Sequence, residues 1–170
     1  MKAWIGLGGN RENSRVLLSS ALSRLENHPE ISVCRVSRFY HSAPWGVTDQ
    51  LDFVNAVAEI ETALTPGDLL QELLDIEARL GRVREGRRWG SRCIDLDLLT
   101  YEEVILTSVS LVLPHPRMQL RAFVLLPILE LEPEFTIPGI GKARLELQKL
   151  ERQEVESVKP LQESPGESRT

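Results

Sequence analysis

The chain has 170 residues, 42% of them hydrophobic, which is enough for one core without disulfide or metal staples. Its formal charge of −5 comes from 25 acidic and 20 basic residues interspersed along the chain, which excludes a nucleic-acid stripe or a polybasic membrane patch and leaves small molecules as the expected partners. Cys34 and Cys93 lack metal-ligand spacing, no apolar run approaches the ~20 residues that span a bilayer, and no secretory pattern opens the chain. The expectation is a cytoplasmic monomer.

Residues 2–8 read as a strand entering a turn at Gly8-Gly9-Asn10, and Val16, Leu17, Leu18, Ala21, Leu22 and Leu25 then recur at helical spacing. Ile31 to His41 and Phe53 to Glu61 are rich in β-branched and aromatic residues and read as an antiparallel pair joined by a long connection. Thr65 is a good N-cap, Pro66 suits the first helical position, and Leu69, Leu70, Leu73, Leu74, Ile76 and Leu80 form an apolar stripe that stops at Gly81. A basic loop with five arginines among eleven residues, 82–92, leads into a strand around Ile94 to Leu99. Short apolar pieces follow at Val104–Leu106 and Leu111–Leu113, then a break at Pro114-His115-Pro116, a helical stretch over Arg121–Leu131 limited by Pro127 and Pro133, and an edge strand at Phe135–Pro138. Residues 1–150 are expected to form a single domain and 151–170, poor in large apolar groups, a flexible tail.

The order strand, helix, strand, strand, helix, strand over residues 2–100 is that of an α+β, ferredoxin-like split βαβ core with both helices on one face of an antiparallel sheet. The opposite face is then free to build a site. Within the last strand, Ile94, Leu96 and Leu98 form one apolar face, so the period of two sends Asp95 and Asp97 together to the other. Their Cβ atoms should lie about 7 Å apart, twice the strand rise. Two carboxylates so placed can hold a hard cation, and the arginines just upstream suit a metal-bound polyphosphate. An isolated Asp-x-Asp is also met as two solvated carboxylates; Arg82, Arg84, Arg88 and Arg92 beside it favour the phosphate reading. The opening Gly6-x-Gly8 lacks the third glycine of a dinucleotide fingerprint, with Arg11 in its place, and Gly141-Lys142-Ala143 lacks the marks of a P-loop.

The run Arg88-Trp89-Gly90-Ser91-Arg92-Cys93-Ile94-Asp95-Leu96-Asp97-Leu98-Leu99 resembles the signature of the 6-hydroxymethyl-7,8-dihydropterin pyrophosphokinase family. Gly6-Leu7-Gly8-Gly9-Asn10, Pro44-Trp45-Gly46, Phe53-Val54-Asn55-Ala56, Glu77 with Gly81-Arg82, and Pro114-His115-Pro116-Arg117-Met118 with Arg121-Ala122-Phe123 follow in the family's order. Gly9, Ser91 and Gln119 depart from its usual residues. The resemblance implies transfer of diphosphate from ATP, the co-substrate, to the hydroxymethyl group of a reduced pterin, with two Mg2+ ions held by Asp95 and Asp97. It implies that Arg82 and Arg92 act with these carboxylates in catalysis, and that Glu77, Arg84, Arg88, Trp89, Arg92, Leu98, His115 and Arg121 bind the nucleotide. For the pterin it implies walls from Phe53 and Phe123, an edge partner in Asn55, and further contacts from Ser42, Ala43, Trp45, Gly46 and Trp89. Taken singly, an aromatic or a histidine is more often structural, and it is the joint pattern that points to a site. Two other readings of the residues are an Asp-x-Asp nucleotidyl or glycosyl transferase and a non-catalytic ferredoxin-like binding module.

Overall fold

The computed structural model describes residues 1–9, 13–42, 53–81 and 94–161. The chain opens with strand β1 (Lys2–Gly9) and helix α1 (Ser14–Glu26), continues through β2 (Ile31–Val36), β3 (Tyr40–Ser42) and β4 (Phe53–Thr62), and passes by helix α2 (Pro66–Arg79) to β5 (Asp95–Tyr101). β1 lies between β4 and β5, and every pairing is antiparallel. Two interleaved βαβ units result, each with one strand of the other between its own two, and this is the expected split arrangement.

The expected strand Ile31–His41 is two strands on the same edge of β4: β2 pairs along Ala58–Thr62 and β3 along Phe53–Asn55. Ser37 lies between them and stays tied to β4, donating its N–H to the Val57 carbonyl (2.9 Å) and accepting the Val57 N–H on its hydroxyl (3.0 Å). A hydroxyl that replaces a ladder bond interrupts the strand without opening the sheet.

Alternation of side chains divides the sheet into two faces. Ala3, Ile5, Leu7, Ala56, Ala58, Ile60, Leu96 and Leu98 point to one face and pack beneath Leu18, Ala21 and Leu25 of α1 and Leu69, Leu73 and Ile76 of α2. Each large aliphatic buried here contributes about 1.5–3 kcal/mol. α2 begins as its sequence demands, with the Thr65 hydroxyl accepting the Asp68 N–H at 3.2 Å and Pro66 at the first position. Val16, counted in the stripe of the first helix, is 66% exposed, because it sits on the turn facing away from the sheet.

The second face is only partly free. After β5 come the two-stranded piece β6 (Leu106–Thr107) and β7 (Val112–Leu113), a 3₁₀ turn at Met118–Leu120 and helix α3 (Ala122–Leu131). α3 covers half of this face: Trp4, Val57 and Leu99 meet its Val124, Leu125 and Ile128, and Trp4 lies edge-on to Phe135 with ring centroids 5.0 Å apart. Pro127 is accommodated inside the helix and buried. Its C-terminal end is fastened to the sheet by polar contacts. Glu130 accepts from the Tyr40 hydroxyl and from Arg38 Nε (2.8 Å), while Arg35 pairs with Glu59 and donates to the Leu131 carbonyl (2.6 Å).

The expected edge strand at Phe135–Pro138 is instead β8 (Thr136–Ile137), which pairs with β9 (Gly141–Lys142) in a small hairpin of its own before α4 (Ala143–Gln148). The stretch expected to begin a flexible tail at 151 forms helix α5 (Arg152–Ser157) and strand β10 (Val158–Pro160). β10 joins the main sheet beside β3, and the Leu161 N–H donates to the Phe39 carbonyl (2.8 Å). Val158, 7% exposed, packs with Tyr40 and Ala122, Val155 packs against the same cluster, and Leu161 against the main core. The remainder of the expected tail, 162–170, lies outside the described residues.

Candidate active site

Along β1 the face turned toward α3 carries Trp4, Gly6 and Gly8, and this alternation creates the site. Trp4 fills its half of the face, whereas the two glycines leave the other half hollow. Gly8 sits in register between Asn55 on β4 and Asp95 on β5, and Gly6 between Val57 and Asp97. With no side chain on the central strand, Asn55 and Asp95 face each other across a bare floor. A Cβ on Gly8 would lie 3.0 Å from the Asn55 Oδ1, so this floor leaves no room for one unless the amide moves.

Above the floor is a cavity of about 410 Å³ lined by Gly6, Gly8, Phe53, Asn55, Asp95, Asp97, Arg121 and Phe123. Phe53 is 36% exposed, and its ring lines the cavity. Asn55 is 6% exposed, and its amide donates to the Ser42 hydroxyl at 3.3 Å. The cavity therefore offers two aromatic rings and a buried amide held at one edge. That is the chemistry of a pocket for a flat heterocycle.

A second cleft of about 340 Å³ opens on the other side of the same carboxylates, lined by Leu70, Leu74, Glu77, Asp95, Leu96, Asp97, Leu98, His115 and the Val109–Val112 segment. β5 is the edge strand here, so its backbone borders the cleft although Leu98 itself is buried at 3% exposure. Glu77, 4% exposed, closes the α2 side. The His115 N–H donates to the Leu99 carbonyl (2.8 Å), which fixes its loop to β5, and its Nδ1 accepts the Arg117 N–H (3.2 Å). Burial lowers the His115 pKa; Asp97 opposes this, and Arg121 and Arg117 add to it. A neutral imidazole with Nδ1 so engaged carries its proton on Nε2 as a donor.

Asp95 and Asp97 line both clefts, from the one strand face to which the period of two assigned them. Asp97 is 42% exposed, and Arg121 Nη1 lies 3.9 Å from its Oδ2 while the same guanidinium rests over the Phe123 ring at 5.6 Å. Among the described residues no group of three or more His, Cys, Asp or Glu side chains is gathered to hold a metal. A pair of carboxylates on one strand suits a hard cation that keeps water and substrate phosphate as other ligands. The donor set therefore fits magnesium.

Of the residues expected from sequence, Phe53, Asn55, Asp95, Asp97, Arg121 and Phe123 are brought to the first cavity, with Ser42 behind Asn55, and Glu77, Leu98 and His115 to the second cleft. Ala43, Trp45, Gly46, Arg82, Arg84, Arg88, Trp89 and Arg92 lie outside the described residues. Sequence reasoning missed the role of Gly6 and Gly8 as a floor and of Leu70, Leu74 and Val109–Val112 as a wall. The glycines had a readable signal, since they repeat with period two on the face of Asn55 and the carboxylates; the wall had none.

The fold and site define a ferredoxin-like α+β protein in which one carboxylate pair lines two clefts. The family model for 7,8-dihydro-6-hydroxymethylpterin-pyrophosphokinase (HPPK) matches residues 4–133, and the chain belongs to that family. It is 45% identical over 157 residues to the 2-amino-4-hydroxy-6-hydroxymethyldihydropteridine pyrophosphokinase of Methylorubrum extorquens, covering 92% of this chain and 98% of the relative. It is 43% identical to the enzyme of that name from Pseudomonas aeruginosa, covering 81% and 84%. Among solved structures, the wild-type HPPK-DHPS of Plasmodium falciparum superposes with a TM-score of 0.70 at 13% identity, covering 87% of this chain and 44% of that longer one, a likeness of fold.

Proposed function

We propose that Asp95 and Asp97, at the junction of the two clefts, join ATP in one to the reduced pterin in the other. The chain is an enzyme, a pyrophosphokinase that transfers the terminal diphosphate of ATP to the hydroxymethyl group of 6-hydroxymethyl-7,8-dihydropterin in folate biosynthesis. The observation that carries the site assignment is the sharing of these two carboxylates by an aromatic cavity with an amide edge and an apolar cleft with a histidine donor.

In the first cavity Phe53 and Phe123 sandwich the pterin and Asn55 meets its edge with both a donor and an acceptor, so the hydroxymethyl arm points along the glycine floor toward the carboxylates. In the second, Leu70, Leu74 and the Val109–Val112 segment enclose the adenine, Glu77 and the β5 edge at Leu98 border it, and the His115 Nε2–H donates to a phosphate or ribose oxygen. Asp95 and Asp97 would hold magnesium, which supplies neutralisation of phosphate charge and alignment of the attacking and leaving oxygens. Arg121, anchored on Phe123, places a fixed cation beside Asp97. Arg82 and Arg92 bind the transferring diphosphate through their planar donors, with Arg84, Arg88 and Trp89 over the nucleotide. Ser42, Ala43, Trp45, Gly46 and Trp89 complete the pterin side. The pterin oxygen bonds to the β-phosphorus, the bond from that phosphorus to the α-phosphate bridge oxygen breaks, AMP leaves, and Asp97 is placed to take up the hydroxyl proton. Such a transfer rests on positioning and charge stabilisation rather than on a protein nucleophile.

The test supplies the protein with ATP, magnesium and the reduced pterin alcohol and resolves the products. Stoichiometric AMP and pterin diphosphate are expected. ADP, inorganic pyrophosphate, or ATP bound but unconsumed would overturn the reading in favour of another transferase or a binding module.

A further inference from the structure

The first cavity is backed by a part of the chain that does not line it. β3 is three residues long and is an inner strand because β10 pairs with it on the side away from β4. Val158 lies opposite Ser42, Lys159 opposite His41 and Pro160 opposite Tyr40. The Leu161 N–H then donates to the Phe39 carbonyl (2.8 Å), so the C-terminal strand is fastened at both ends of β3. On the other side of β3, Phe53 lies opposite Ser42 and Asn55 opposite Tyr40. Residues directly opposite in an antiparallel ladder share a face, so Val158, Ser42 and Phe53 form one row on the face that carries the cavity.

Two routes lead from Val158 to groups that line the cavity. Through the ladder, Val158 sits beside the buried Ser42, whose hydroxyl accepts the Asn55 amide at 3.3 Å. Through packing, Val158 is buried with Tyr40 and Ala122, and Phe123, the second aromatic ring of the cavity, packs against that cluster together with Val155. In a close-packed interior, a side chain made smaller leaves a space that its neighbours partly fill by shifting. Here the neighbours on both routes are groups of the first cavity. No residue lining the second cleft belongs to the cluster, and Asp95 and Asp97 stand on β5, with β4 and β1 between it and β3.

We infer that Val158 is a positioning residue for the pterin: from the C-terminal strand it sets the Asn55 amide and the Phe123 ring while touching neither ligand. The inference rests on the placement of the pterin in the first cavity. A pocket whose walls must be ordered on binding loses affinity for the ligand that orders them, and for that ligand alone. Loosening the cluster therefore weakens pterin binding and leaves nucleotide binding and the rate at saturation as they were.

The test titrates the full chain and its variants with the pterin alcohol in the presence of magnesium and an unreactive ATP analogue, and separately with the analogue alone. Val158→Ala should raise the pterin Kd about tenfold, with the analogue Kd and the kcat for AMP formation within about twofold of wild type. Lys159→Ala, exposed on the opposite face of the same strand, should alter none of the three. A purely structural loss lowers the folded fraction and scales every signal alike, so it does not split the two dissociation constants. Val155→Ala, partly buried against the same cluster, should raise the pterin Kd about threefold and decides the matter if Val158→Ala does not fold. Asn55→Ala separates this inference from the reading beneath it. A pterin Kd weakened by Asn55→Ala but not by Val158→Ala, or equal weakening of pterin and analogue by Val158→Ala, would overturn the inference alone. A pterin Kd untouched by Asn55→Ala would overturn the placement of the pterin and the inference with it.

Discussion

Replacing Gly8 by alanine separates the pterin side of the site from everything else. The added Cβ would stand 3.0 Å from the Asn55 Oδ1 and 3.9 Å from the Val54 carbonyl, so the Asn55 amide must retreat by a few tenths of an ångström. That amide is buried and its bond to Ser42 is already 3.3 Å long, so a retreat costs either this bond or the one to the pterin edge. One hydrogen bond is worth about 0.5–1.5 kcal/mol, and a methyl group intruding on a well-packed surface costs about 1 kcal/mol more. Together they give about 2 kcal/mol, or roughly 30-fold in the pterin Kd. The fold should tolerate the change, since alanine in a strand stabilises by about 0.4–1 kcal/mol through the unfolded chain, offsetting part of the crowding. Calorimetric titration of pterin in the presence of magnesium and an unreactive ATP analogue reads the first effect, thermal denaturation the second, and analogue binding alone the control. A pterin Kd within about twofold of wild type would refute the glycine floor.

Asp97→Asn keeps the shape of a half-exposed side chain but removes its charge, and AMP formation should fall by about 10²–10³ with thermal stability retained. Thr65→Ala deletes the cap of α2 and should cost about 1 kcal/mol, seen as a lowering of Tm by about 2–4 °C with kcat unaltered. For Glu130, burial acts to raise the pKa, but hydrogen bonds from Tyr40 and then Arg38 outweigh it and hold the carboxyl below its ordinary value. Its contribution is thus present above the unfolded carboxylate pKa of about 4.3 and lost as pH falls through the lower folded value; in urea titrations Glu130→Gln should lose less stability than wild type across that window. The Tyr40 phenol, pushed up to about 12 chiefly by burial, behaves oppositely at the alkaline end, and its contribution should be present below about pH 10 and disappear toward 12.

The core was legible where a period was long and its punctuation clear. Thr65-Pro66 with leucines at helical spacing defined α2, and alternation around Ile94, Leu96 and Leu98 sent Asp95 and Asp97 to the sheet face opposite α1 and α2. Local signals failed where a tertiary partner decided the outcome. Ser37 breaks a strand only because Val57 supplies both of its hydrogen-bonding groups. β10 forms where Val158 finds Tyr40 and Ala122, residues more than thirty positions away in sequence, and neither contact leaves a trace in composition. The cover of half the second face by α3 was likewise unreadable, since Ala122–Leu131 is apolar nearly all round and shows no single stripe. At the site, the paired carboxylates and aromatic walls were readable as residues, whereas the second cleft depends on a wall from the Val109–Val112 segment that only the fold brings beside α2.

The central claim is that the carboxylates of Asp95 and Asp97 hold divalent cations between the two clefts. A crystal structure of the chain with magnesium, an unreactive ATP analogue and the pterin alcohol tests it directly. Cations at about 2.1 Å from oxygens of both aspartates are predicted, with the pterin between Phe53 and Phe123 and the nucleotide beside His115. Both ligands bound with no cation on either aspartate would contradict the account.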